Sequence, residues 1–238
     1  LRGFQMLWRV PGGLLSRRNP QPNVKDDPMR KRLRTTLPLA IAALYHAAFV
    51  NAASGLTVWV FPHDELADIS NEQLQLDYFD FWLIEMREIT DLPVHIRFQR
   101  NIPGLTDLDY RRDDPSKSLA AWSDATWTWR RQQNAPGGII DNKYLLLTRE
   151  QLDSTGETLG LAHQTGHAAI ASIRSYATPG HELGHTLSAT HEAAQVNFNG
   201  WFCETYMFPT RLNVRSNCYR YSEENRANIA RYLKRSGN

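Results

Sequence analysis

From residue 55 onwards the apolar and polar positions of this 238-residue chain alternate between a strand period and a helix period. Gly55-Leu56-Thr57-Val58-Trp59-Val60-Phe61 is rich in β-branched and aromatic residues and stops at Pro62, which predicts a first strand. Ser70 then caps a segment reaching about Thr90, in which Leu74, Tyr78, Phe81, Trp82, Glu85 and Ile89 recur at helical spacing. One long helix behind the sheet is expected there. Leu92 to Phe98 alternates again as a second strand, and strand–helix–strand at these lengths implies a right-handed crossover and a mostly parallel sheet.

Further along, Asp114-Pro115 is suited to cap and open a helix running through Trp122, Trp127 and Trp129 to Gln133, with the tryptophans packing rather than stacking on a ligand. Ile139-Ile140 and Tyr144 to Thr148 supply the next strand, with a turn or bulge at Asp141-Asn142. Leu159 to His163 and Ala168 to Ala171 are two short runs joined by Gln164-Thr165-Gly166-His167, the pattern of a hairpin. Ser222 caps a last helix reaching Leu233, whose first turn holds Glu223 and Glu224 at the positive end of the helix dipole.

Composition changes the reading of the N-terminal quarter. With 42% hydrophobic residues the chain can bury a full core in one or two domains. Residues 1–28, however, hold Pro11-Gly12-Gly13 and Asn19-Pro20-Gln21-Pro22 without hydrophobic periodicity, and read as a disordered extension or translated upstream sequence before a true start at Met29. Residues 29–53 have the order of a secretory signal peptide: Arg30, Lys31, Arg32 and Arg34, an apolar run from Leu37 to Val50, and small residues around Ala52-Ala53-Ser54. A membrane anchor or a buried hydrophobic helix is the alternative. On the first reading the domain is residues 54–238, secreted or periplasmic, monomeric, and without stable membrane insertion. Of 27 basic and 25 acidic residues, nine and two fall in residues 1–53, so the remainder carries −5. No basic patch interleaved with exposed aromatics follows position 54, and a nucleic-acid partner has no electrostatic support. Cys203 and Cys218, the only two cysteines, are an even pair and a disulfide candidate in an exported chain; two buried free thiols are the other reading.

The candidate chemistry is concentrated in His181-Glu182-Leu183-Gly184-His185-Thr186-Leu187-Ser188-Ala189-Thr190-His191-Glu192. At about 100° per residue, His181 and His185 project from one helix face one turn apart and can share one metal ion. Glu182, next to the first ligand, is placed to reach a water on the metal rather than the metal, which is the position of a general base. A continued helix would carry His191 about 240° round from His185. The helix must therefore stop near Ser188 if His191 is to be the third ligand and leave a fourth position open, as catalytic zinc sites do. Two histidines four apart on an amphipathic helix also arise by chance. His163 and His167 invite a second metal site, but with no carboxylate at suitable spacing they read as ordinary loop histidines.

This stretch resembles the metzincin metalloproteases, whose signature is HExxHxxGxxH followed by a methionine turn. Ser188 stands where the family has glycine, and a residue with a Cβ in the left-handed conformation costs about 1–2 kcal/mol more there. The resemblance implies an α/β zincin-type domain: a twisted, mostly parallel sheet of about five strands, Leu159–His163 as the antiparallel edge strand bordering a cleft, an active-site helix and a C-terminal helix. It further implies Met207, within Cys203-Glu204-Thr205-Tyr206-Met207-Phe208-Pro209, as the methionine turn beneath the ligands. The cysteines and the last helix are closest to the reprolysin (adamalysin)-like branch, whereas Glu192 after the third histidine is the astacin residue. The implied activity is a zinc endopeptidase acting on protein or peptide, with one Zn2+ on His181, His185 and His191 and Glu182 as base. Phe208, Pro209, Arg211 and Leu212 would wall the pocket beyond the scissile bond. A non-catalytic binding or adhesion protein that keeps the fold and the zinc is the rival reading, and a hydrolase of non-peptide amides a third.

Overall fold

The alternating runs become strands, and both faces of the resulting sheet are covered. Five strands form it: β1 (Leu56–Pro62), β2 (Val94–Phe98), β3 (Asn142–Thr148), β4 (Gly160–Ala162) and β5 (Ala168–Ser172). Their order is β2-β1-β3-β5-β4, parallel throughout except that β4 runs antiparallel to β5. The computed structural model describes residues 55–134, 137–154, 158–198, 200–210 and 214–237, within a unit of residues 49–238. Residues 1–28, read as an extension, residues 29–53, read as a signal peptide, and Arg211 and Leu212 lie outside the described residues.

Successive side chains on β3 point to opposite faces, so the core divides in two. Leu145 and Leu147 join Val58, Val60, Trp82, Leu183 and Ile229 on one face. Tyr144 and Leu146 join Phe61, Leu119, Trp122 and Trp129 on the other. Every residue of β3 is buried, as expected for a central parallel strand covered on both sides. The second face is covered by α3 (Pro115–Gln132), capped by Asp114 through Ser116 N–H and opened by Pro115 at the sequence-expected position. Trp122 and Trp129 each meet the Phe61 ring edge-on at 5.2 Å, so their role is packing.

Two local expectations fail. The long helix from Ser70 is two helices, α1 (Asn71–Tyr78) and α2 (Asp80–Ile89), broken at Phe79, whose φ is −121°. Phe79 is fully buried against Phe98, and this burial outweighs helical continuity. Ile139-Ile140 lies in a turn: Gly138 N–H donates to Asp141 Oδ2 and the strand begins at Asn142, so the only apolar dipeptide there is held by turn chemistry. The hairpin before the histidine helix is present as β4–β5, with the antiparallel strand at the sheet edge.

Behind the first face, α5 (Glu223–Leu233), capped by Ser222 as its sequence predicts, is locked to α2. The buried Glu85 carboxylate accepts from Tyr221 N–H at 2.8 Å and is gripped by the Arg226 guanidinium. Among the described residues no helix is long and apolar enough to cross a membrane.

Lys143 on β3 is fully buried, its Nζ donating to Gly166 O at 2.8 Å and to the Tyr232 hydroxyl at 2.7 Å. Burial pushes its amine from 10.5 down to about 7, against a smaller opposing pull from Asp141. Since the folded value lies below the unfolded one, the unfolded chain binds more protons between about pH 7 and 10.5; this group's contribution to stability is present above that window and lost as pH falls through it. In urea melts, wild type is expected to gain about 2–4 kcal/mol on Lys143→Met between pH 7 and pH 10. A gap that does not change with pH would contradict the lowered value.

Candidate metal centre

Helix α4 (Thr178–Thr186) carries His181 and His185 one turn apart, and the way it ends delivers the third histidine. Leu187 caps it, and Ser188 takes a left-handed φ of +79°. Ser188 N–H donates to His185 O at 3.2 Å and Ala189 N–H to Gly184 O at 2.9 Å, the paired bonds of a Schellman motif. Serine thus occupies the position that glycine favours, at a cost of about 1–2 kcal/mol. The chain reverses. Asn225, buried on α5, then clamps the Thr190 peptide from both sides, donating to Thr190 O at 3.0 Å and accepting from Thr190 N–H at 2.8 Å, and so fixes the backbone that bears His191.

The result is a triangle of imidazole nitrogens. Nε2 of His185 lies 3.2 Å from that of His181 and 3.0 Å from that of His191, and the remaining side is 3.0 Å. Two tautomers follow from partners. His181 Nδ1 faces the carbonyl of Tyr206 at 2.6 Å, so Nδ1 carries the proton. His185 Nδ1 faces Gln164 Oε1 at 3.1 Å, and that amide is oriented because its Nε2 donates to Ala189 O. Both Nε2 atoms are therefore lone pairs aimed into the triangle, and burial, reinforced by the neighbouring histidines, pushes His181 down to about 3 and His185 to about 4. A tetrahedral zinc ion with Zn–N of about 2.0–2.1 Å sets its nitrogens about 3.3 Å apart, so the donor set fits that ion closely. Oriented Nδ1–H groups are the outer-shell arrangement of metal-binding histidine. Among the described residues this is the one trio of potential ligands within 4.8 Å.

Against α4, Met207 is fully buried, and its Sδ would lie 2.5 Å from a Cβ on Gly184. Gly180, one turn earlier, similarly makes room for the Tyr206 ring. Glycines at both positions let the Tyr206-Met207 turn close against α4 while Tyr206 O reaches His181. On either side of that turn in the chain, β6 (Val196–Phe198), β7 (Phe202–Glu204) and β8 (Ser216–Asn217) form a small sheet stapled by the Cys203–Cys218 disulfide. In the chain-entropy model such a loop contributes about 3 kcal/mol.

Glu182 points the other way from solvent. It is 5% exposed, and burial raises its carboxyl to about 8; a cation beside it would favour the charged form instead. An open cleft of about 300 Å³ lined by Gln164, His185, Thr190, His191 and Glu192 gives access to the triangle. A larger hollow of about 440 Å³, bordered by Leu83, Arg87 and His95, lies at the β2 edge, opposite to β4, and is remote from this chemistry.

Phe208 and Pro209 follow directly on the buried turn, with the Arg215 guanidinium over the Phe208 ring at 5.6 Å. His163 and His167 do not converge on a second site. The His167 ring sits against Trp127 and Tyr144 with Nε2 3.4 Å from Ser123 Oγ, and His163 is exposed. Sequence reasoning missed Gln164, Asn225, the Tyr206 carbonyl and Gly160. Only Gly160 left a local signal, as a glycine inside a strand.

No protein-family model matches this chain, and no curated protein matches it. Solved structures do. The archaemetzincin of Methanopyrus kandleri aligns at TM-score 0.42 and 16% identity over 78% of this chain and 99% of its own, and that of Archaeoglobus fulgidus, complexed with malonate, at 0.38 and 14% over 73% and 100%. Metalloproteinase-II from Bacteroides fragilis aligns at TM-score 0.56 and 16% identity over 76% of this chain and 54% of its own, so this chain spans about half the length of that protein. Nothing in these likenesses is particular to the reprolysin branch. At this identity the likeness is one of fold, and the fold of this chain, a mostly parallel five-stranded sheet with an antiparallel edge beside the histidine helix, is similar to that of metalloproteinase-II.

Proposed function

We propose that this chain is a zinc-dependent endopeptidase in which His181, His185 and His191 hold one zinc ion and Glu182 is the general base. The observation that carries this reading is the convergence of three Nε2 atoms to 3.0–3.2 Å, two of them from a helix that also presents a buried carboxylate, Glu182, beside His181. Bound there, zinc supplies a Lewis acid that polarises a carbonyl and acidifies water. The chain's residues do the rest. Glu182 takes the proton of the attacking water and passes it to the leaving amine, a role its burial favours by keeping bulk water from competing for that proton. β4 is bonded to β5 on one side only, and its outer edge can pair with the backbone of an extended peptide whatever its sequence.

Side-chain choice then falls to the segment after Met207. Phe208, Pro209 and Leu212 make that wall mainly apolar, with Arg211 as the single charge among the residues from 208 to 212. The test is zinc analysis of the 238-residue chain combined with digestion of a mixed peptide library, with and without chelator. New N-termini are expected to be enriched in Leu, Met or Phe, each methylene counting for about 1–3 kcal/mol. Asp or Glu would show that Arg211 points into the pocket. An absence of preference would remove this segment from it.

A further inference from the structure

Gly160 is the first residue of β4, and its backbone is fixed from the side away from the cleft. It pairs with Ala171 of β5, and Ser172 N–H donates to the preceding Leu159 carbonyl at 2.7 Å. A Cβ built on Gly160 would lie 2.5 Å from Glu182 Oε1, 2.6 Å from Cγ and 2.7 Å from Cδ. All three distances are shorter than any real non-bonded contact of a Cβ. They involve the Glu182 side chain from Cγ outward, so the carboxyl itself is what must move. Nor is the glycine there for its backbone freedom. Positive φ is confined to Gly104, Gly137 and Gly200 among the described glycines, and Gly160 sits in an ordinary extended strand, where glycine is a poor choice. What Gly160 supplies is space, filled by one carboxylate.

We propose that Gly160 is a positioning residue: the Cβ missing from the edge strand sets where the Glu182 carboxylate rests relative to the three histidines. This rests on the reading of Glu182 as general base. The three atoms nearest that Cβ all belong to Glu182 and none to a histidine, and His181 and His185 are held by Tyr206 O and Gln164. A methyl group at this position therefore pushes the base and leaves the ligands alone.

The experiment is Gly160→Ala in the 238-residue chain, alone and combined with Glu182→Ala, which removes Cγ, Cδ and Oε1, the three atoms in contact. Crystal structures should show the Glu182 carboxyl moved by about 1 Å or more in Gly160→Ala with the histidines in place. Displacement on that scale costs about a hundredfold in rate. We expect kcat to fall by about that factor, with KM and zinc content unchanged. In the Glu182→Ala background the same alanine should lower the residual rate by less than about threefold. Should Gly160→Ala fail to fold, the double variant is still expected to fold, because the clash is absent from it. An unmoved carboxyl, an unchanged kcat, or an equal hundredfold loss in the Glu182→Ala background would overturn the proposal. If zinc-loaded wild type cuts no peptide, the peptidase reading fails, while the carboxyl position in the two crystals still decides what Gly160 does.

Discussion

Glu182→Gln is expected to keep zinc and fold while losing about 10²–10⁴-fold in kcat, the range spanned by a general base. The amide matches the carboxylate in shape and occupies the same space above Gly160, so packing is conserved. It cannot accept a proton from water. Because burial raises the Glu182 carboxyl to about 8, removing its charge lifts a desolvation cost in the metal-free chain. The variant should therefore melt no lower than wild type. Kinetics on a cleaved peptide, paired with metal analysis, separates the outcomes. Parallel loss of zinc and activity would make the carboxylate a ligand, and unchanged turnover would end the proposed mechanism.

The second large effect is expected at His191. Replacement by alanine leaves two imidazoles, a poor tetrahedral site. Changes to outer-shell partners alone weaken zinc sites by about 10–100-fold, so removing a ligand should cost more than that, and activity should fall with occupancy. Competition against a chelator of known affinity measures it. Part of the loss will register as stability, since metal bound only to the folded chain adds to folding free energy. His191 is the exposed member of the trio, reached by a reversal at Ser188, and full zinc retention in His191→Ala would remove it from the ligand set.

Much of this centre is legible in the sequence because its parts are close along the chain. Helical spacing fixes His181 and His185 on one face, and the need to bring back His191 demands a stop that Ser188 then supplies in the left-handed region. The β4–β5 hairpin and the Ser222-capped helix were readable for the same reason: their signals are local. What escaped depends on tertiary contact. Phe79 breaks a helix that periodicity would continue, since burying its ring counts for more than one turn's propensity. Asn225 reaches back 35 residues to the Thr190 peptide. Tyr206 contributes to the histidines through a carbonyl oxygen, which no side-chain pattern announces. Gly160 and Glu182 are 22 residues apart in sequence. A glycine in a strand marks a close approach without naming what approaches.

The most direct measurement is peptide cleavage by the metal-loaded 238-residue chain, before chelation, after it, and after zinc is restored. The site geometry predicts cleavage that is abolished by chelator and returns with about one zinc per chain. A chain that binds one zinc on these histidines and cuts no peptide in a mixed library would contradict it, and would leave a binding protein built on a metalloproteinase-like fold.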